Sequence, residues 1–224
     1  MAEVKKQLEE LMRRKAELDS LMTGAAVQGA EIDPSLIKEY EELSAQLDAN
    51  SPLLAPEQVQ LGYGAIESLI LPPGWFREKE ATQLSSRQID IFHLEGSENV
   101  ELVSEYRHLD LRRDAANAFQ DTLYSKFHNL TTREIAKLED VLEELGKPDW
   151  FEIKAAYVHY LNNRRVLHVD GVWQGSDMPA TAVFADVGGK GRRLHLLRIS
   201  APEAVFPGLT SQIEAIFTSL KWIS

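Results

Sequence analysis

The sequence predicts an α+β protein: a mostly antiparallel sheet covered by helices, preceded by an N-terminal helical hairpin. Three observations carry this. Residues 1–50 hold two short apolar stripes at helical spacing. Residues 151–199 alternate apolar and polar side chains in four runs separated by turn signals. Helical patterns fill the middle of the chain and close it.

The first stripe is Val4, Leu8, Leu11, Leu18 and Met22, with charges between. The segment TGAAVQGA then breaks the period with two glycines. Asp33 suits an N-cap and Pro34 a first helical position. Leu36, Ile37, Tyr40, Leu43 and Leu47 form the second stripe. Two such helices joined by a short break make an antiparallel hairpin. The stripe is too short for a long coiled coil, and Lys15 falls at a core-like position. Two bare helices need a third surface to bury both stripes. That surface is their own domain, a twin, or a partner protein docked on Leu11, Leu18, Ile37 and Tyr40.

Residues 51–61 read as a Pro-containing linker, which places the domains at 1–50 and 62–224. Residues 65–71 form a short apolar strand closed by the turn PPGW, and residues 88–94 and 100–106 alternate. A helix is expected over 114–127, with Ala115, Ala118, Phe119, Leu123 and Phe127 on its apolar face. A second begins at Thr131, with Glu134 in capping-box register, and stops at Gly146 and Pro148. Strands follow at 151–161, 164–173, 180–187 and 193–199, the first pair joined by Asn162 and Asn163, which tolerate positive φ. A last helix covers 209–220.

The segment GGKG at 188–191 invites a phosphate-binding reading. Its spacing is not that of a Walker loop, no Ser or Thr follows Lys190, and a strand follows where a helix is needed. It is a hairpin turn.

Composition narrows the chemistry. The chain has 224 residues and a formal charge of -11, from 35 acidic and 24 basic residues. That balance speaks against a general nucleic-acid binder. With no cysteine, disulfides, thiolate metal sites and Cys nucleophiles are out. No apolar run reaches membrane-spanning length, and a cytoplasmic protein is the expectation. His159 and His168 fall on one face of neighbouring strands, and His195 lies two strands on. No HxH or HExxH pattern accompanies them, so no metal site is assigned. Asp186, His195 and Ser200 lack a nucleophile elbow, and no catalytic residue is assigned. No cofactor is called for. Arg164, Arg165, Arg192, Arg193 and Arg198 offer a local basic patch on the meander. Trp173, in DGVWQGSDMP, is expected to be exposed.

The early strand ending in PPGW, the helical middle, the four-strand meander, and RLHLLRISAP with the final FTSLKW resemble the PsbP-like α/β/α sandwich superfamily over residues 62–222. The resemblance implies a sheet between helix layers and a non-enzymatic, partner-binding role. The expected function is therefore a protein-binding adaptor or chaperone-like protein. Its contacts would be Leu11, Leu18, Ile37, Tyr40, Trp173, Arg192 and Arg193, to a protein partner or a second copy. The alternative is a small-molecule or anion-binding domain, a weak hydrolase or metal site included, near His159, His168, Arg193 and His195.

Overall fold

The structure, a computed structural model, describes residues 10–11, 13–15, 17–18, 33–49, 56–78, 82–83, 86–97, 99–145 and 150–223. Val4, Leu8, Met22, the break at 23–30, the side chain of Leu47 and the stop at Gly146 and Pro148 lie outside these residues. The chain divides into two compact units, Met1–Ala55 and Pro56–Ser224.

In the first unit, residues 10–11, 13–15 and 17–18 are helical, and α1 spans Pro34–Ala49. Asp33 caps α1: its Oδ1 accepts from the Ser35 N–H and hydroxyl, both at 2.8 Å. Arg14 grips Glu39 through Nε at 2.7 Å and Nη2 at 3.2 Å. The Lys15 ammonium sits 5.1 Å above the Tyr40 ring, so the charge at a core-like position finds an aromatic face.

In the second unit the strands form two sheets, antiparallel at every pairing. The small sheet joins β1 (Glu57–Tyr63), β2 (Ile66–Leu71) and, later in the chain, β11 (Lys221–Trp222) in that order. The large sheet holds β3 (Trp75–Arg77), β4 (Thr82–Gln83), β5 (Arg87–Leu94), β6 (Glu101–Arg107), β7 (Phe151–Leu161), β8 (Arg164–Trp173), β9 (Met178–Val187) and β10 (Arg193–Ser200). Its order is β3-β5-β6-β10-β9-β8-β7, with β4 paired to β5.

Strand alternation divides the large sheet's side chains between two cores. Val183, Ala185, Leu197 and Ile199 pack with the small sheet and with α5 (Thr210–Ser219), through Ile66, Leu69, Ile213 and Ile216. Ala182, Phe184, Leu194 and Leu196 pack with α2 (Arg113–Leu123), α3 (Thr132–Ala136) and α4 (Glu139–Leu142), through Phe119, Leu138 and Val141.

Several expectations need correction. The linker expected over 51–61 gives way to β1 at Glu57, because Val59 and Tyr63 are apolar enough to bury and pair against β2. The helix expected to reach Phe127 ends at Leu123, so Phe127 leaves the core and is exposed. The next helix keeps its Thr131–Glu134 capping box but breaks at Lys137. There the amides of Lys137 and Leu138 bond three residues back, to Glu134 and Ile135, and Leu138 is fully buried. The last helix ends at Ser219, because Lys221 and Trp222 pair with β2.

The first and third turns of the meander have the predicted character. Asn162 and Asn163 adopt positive φ, as do Gly188, Gly189 and Gly191. The Asn162 amide also donates to the carbonyls at the end of α5, Thr218 at 2.9 Å and Leu220 at 2.7 Å. Opposite it, Arg165 Nη1 donates to the Leu123 carbonyl ending α2, at 2.8 Å. Gly191 is needed for close approach, since a Cβ there would lie 2.4 Å from the Ala116 carbonyl of α2. Gly188 has open space around it.

Two outcomes follow for urea denaturation. Gly191→Ala combines left-handed strain with a backbone clash and is expected to lose roughly 3 kcal/mol, whereas Gly188→Ala loses only about 1 kcal/mol of strain. Asn162→Gly keeps the turn but removes the amide, with an expected loss of about 1–2 kcal/mol.

Candidate functional site

The polar residues of the second unit fall into three groups. The first is a sealed chain between the two sheets. The Ala65 N–H donates to His195 Nδ1 at 3.0 Å. That fixes the proton on Nε2, which donates to Ser104 Oγ at 2.8 Å. Ser104 Oγ lies 3.1 Å from the Tyr63 hydroxyl, and Tyr63 donates to Asp90 Oδ2 at 2.6 Å. Arg77 closes the chain by donating to Asp90 Oδ1 through Nε at 2.7 Å and through Nη2. Asp90 and Ser104 are completely buried, His195 is 1% exposed, and Tyr63 stacks on the imidazole at 5.3 Å. Burial pulls the His195 pKa down to about 3, and burial pushes the Tyr63 hydroxyl well above its ordinary value. The imidazole is neutral and away from solvent. Asp186 and Ser200 lie on the opposite face of the sheet from His195, so the three make no triad.

The second group is His159 and His168, which meet across β7 and β8 with Nε2 and Nδ1 3.3 Å apart. His195 has its own separate partners, and among the described residues no three His, Asp or Glu side chains converge as a metal cluster.

The third group lies at the turn end of the sheet. Arg165 is ringed by Phe127, Tyr160 and Tyr124, with centroids 4.9, 5.4 and 5.6 Å from the guanidinium carbon. Its Nη1 bonds the carbonyls of Leu123 and Ser125, so the cation sits where the α2 dipole ends negative. The three rings keep 53%, 56% and 64% of their surface exposed, in the order Phe127, Tyr160, Tyr124. Beside them opens a cavity of about 300 Å³ lined by Tyr124, Tyr160, Asn163, Arg164 and Asp186 among others. Asp186 is buried, and its Oδ1 has no donor among the described residues. Burial pushes its carboxyl pKa up, against an opposing Gly191 N–H and the Arg164 charge.

The five meander arginines do not form one patch. Arg193 and Arg192 share Asp110, at 3.0 and 3.8 Å. Arg164 bonds backbone carbonyls of Ala65 and Asp186 beneath Trp222. Arg198 is half-buried against Trp173, 5.1 Å from its ring. Trp173 is therefore half-buried, also edge-on to Phe151 at 5.0 Å, and the expected exposure falls instead on Trp150. In the first unit Leu18 is fully buried, Leu11 and Tyr40 are half-buried, and Ile37 is exposed.

Tyr124, Phe127, Tyr160, Arg165 and Asp186 were not singled out by the sequence reading as one site. The legible signal was the spacing Tyr124, Phe127 after an apolar helix face, which an earlier helix end turns outward.

Neither a family model nor a curated protein sequence matches the chain. Solved structures are similar to it, two of them as follows. One is the solution structure of cyanobacterial PsbP (CyanoP) from Synechocystis sp. PCC 6803, at 10% identity and a TM-score of 0.49, covering 76% of this chain and 94% of that chain. The other is LpqN of Mycobacterium tuberculosis, described as involved in cell envelope biogenesis, at 12% identity and a TM-score of 0.42, covering 76% and 91%. The resemblance is PsbP-like and weak. Among the described residues no helix is long and apolar enough to cross a membrane.

The sealed chain generates a pH prediction. His195 holds its proton less tightly folded than unfolded, so the stability it contributes is full above about pH 6.5 and falls as the pH drops towards 3. The loss approaches about 1.4 kcal/mol per pH unit across that window. Chemical denaturation of native protein and His195→Gln across the same pH range is expected to show a flatter profile in the variant.

Proposed function

We propose that the protein is a non-enzymatic, chaperone-like adaptor that takes a protein partner on the face formed by Tyr124, Phe127, Tyr160 and Arg165. In this reading the second unit is an α/β/α sandwich, and the first is a helical hairpin with Ile37 exposed as a contact of its own. The observation that carries the proposal is the exposure of three aromatic rings around one guanidinium, while the rest of the aromatic surface is mostly packed. Tyr and Arg anchors of this kind dominate binding energy at protein interfaces, and contiguous exposed apolar surface marks such sites.

The sealing of the Ser104–His195 contact away from solvent supports a role in which that serine is not a nucleophile. The chain's charge of -11 favours a partner that is basic around its apolar anchor. Such a partner also brings N–H donors to Asp186 Oδ1, which has none among the described residues.

The test places a photo-crosslinking amino acid at Phe127 in the full chain, and at Glu203 as a control on another exposed surface. The expected result is a discrete protein adduct from position 127 only, its yield falling at least tenfold in Tyr124→Ser/Tyr160→Ser. Adducts that are equal at both positions, or unchanged by the double substitution, would overturn the assignment of this face.

A further inference from the structure

We propose that the cavity at the turn end of the large sheet takes the C-terminal residue of the partner protein, its carboxylate on Arg165 and its amide N–H on Asp186. This deepens the partner-binding reading and rests on it.

The end of α2, the β7–β8 hairpin and the β9–β10 turn bound the cavity, through Tyr124, Tyr160, Asn163, Arg165, Asp186 and Gly189 among others. Asp186 is only 6% exposed. The Gly191 N–H serves one of its carboxylate oxygens, and Oδ1 has no donor among the described residues. A buried acceptor left unmet costs more than its bond would contribute, so the cavity calls for a donor. Arg165 has five N–H donors. Nε reaches the Tyr160 hydroxyl, and Nη1 takes the Leu123 and Ser125 carbonyls. Both N–H groups of Nη2 are left without an acceptor among the described residues. Leu167 pairs with Phe184, and two residues on the same register sets Arg165 across from Asp186. An unmet acceptor and a cationic donor therefore stand side by side on neighbouring strands.

The occupant that fits offers an anion to the guanidinium, a donor to the carboxylate and an apolar group to the rings of Tyr124 and Tyr160. It does so within about 300 Å³, the small end of ligand sites. The last residue of a polypeptide carries all three on one α-carbon, and capture of a terminal carboxylate is a recurring mode of peptide recognition. Guanidinium and carboxylate pair through two parallel bonds. Other occupants fit less well. A Lys or Arg side chain would bring a further cation beside Arg164 and Arg165. An internal peptide segment supplies no anion. A phosphate supplies no N–H and is repelled by Asp186. Water can meet Oδ1, but it leaves the guanidinium without an anion and the rings uncovered. A donor at Oδ1 also favours the ionised carboxylate that burial disfavours.

The experiment is an NMR titration of the ¹⁵N-labelled full chain at neutral pH with N-acetyl-L-phenylalanine, the smallest mimic of a peptide C-terminus. Three controls each change one feature: N-acetyl-L-phenylalaninamide lacks the carboxylate, 3-phenylpropionate lacks the N–H, and L-phenylalanine replaces the amide by an ammonium. The expected result is saturable shifts at the Asn163 and Gly189 amides, with the first two controls at least about tenfold weaker. In Arg165→Gln, N-acetylphenylalanine and its amide should bind alike. In Asp186→Asn, N-acetylphenylalanine and 3-phenylpropionate should bind alike. Should either variant fail to fold, the ligand comparison on the native chain decides. No saturable shift up to about 10 mM, equal binding of the amide or of 3-phenylpropionate, tighter binding of L-phenylalanine, or shifts away from this cavity would each overturn the terminal-residue site. Such a failure with the adduct at position 127 intact leaves the aromatic face standing. Binding of N-acetylphenylalanine without that adduct supports the cavity and overturns the face.

Discussion

The fold of the second unit depends on one buried imidazole. His195 accepts from the backbone of the small sheet and donates into the large one, and the chain it starts ends on an Asp90–Arg77 ion pair. Leaving any of these groups without a partner at such depth would cost more than the bond itself contributes. The requirement therefore fixes how the two sheets sit on each other more narrowly than apolar packing alone. Gly64 is part of the same constraint: a Cβ there would lie 2.6 Å from His195 Nδ1, so the loop between β1 and β2 closes on the ring only with glycine.

A sealed chain and an open site divide the polar chemistry between them. Where every donor has an acceptor, as from Ala65 to Arg77, the polar groups specify a single arrangement and face no solvent. At the turn end the balance differs. Arg165 lies on the same sheet face as Asp186, but its guanidinium is drawn to the α2 carbonyls, and Asp186 Oδ1 is left without a donor among the described residues. The helix terminus takes the cation because several orphan carbonyls gather there. The exposed rings and the cavity follow from that competition.

Much of the fold was legible in the sequence. β7 and β8 run over the predicted residues because alternation and the Asn162–Asn163 pair are both local signals. The capping box at Thr131 was readable for the same reason. What escaped the sequence depended on distant partners. β1 looked like linker because its strand character comes from pairing with β2. Phe127 looked like core because periodicity does not show where a helix stops, and α2 stops where Arg165 meets it. Trp173 looked exposed because its loop is polar, while Arg198, which covers it, lies 25 positions further along the chain. The pairing of His159 with His168 was visible as a strand diagonal. The fate of His195 was not, since its partners come from β1, the turn that follows it, and β6.

One short turn joins both helical layers. Asn162 holds the end of α5 on one face of the sheet, and Arg165, three residues on, holds the end of α2 on the other. A slip of one residue in the β7–β8 hairpin would send each side chain to the wrong face and strip both helix ends together. The two layers therefore share one folding decision. Neither can reach its final ends before the hairpin has found its register, and once it has, both are locked at once. Opening either layer draws on the same few hydrogen bonds, which couples the layers into one cooperative unit.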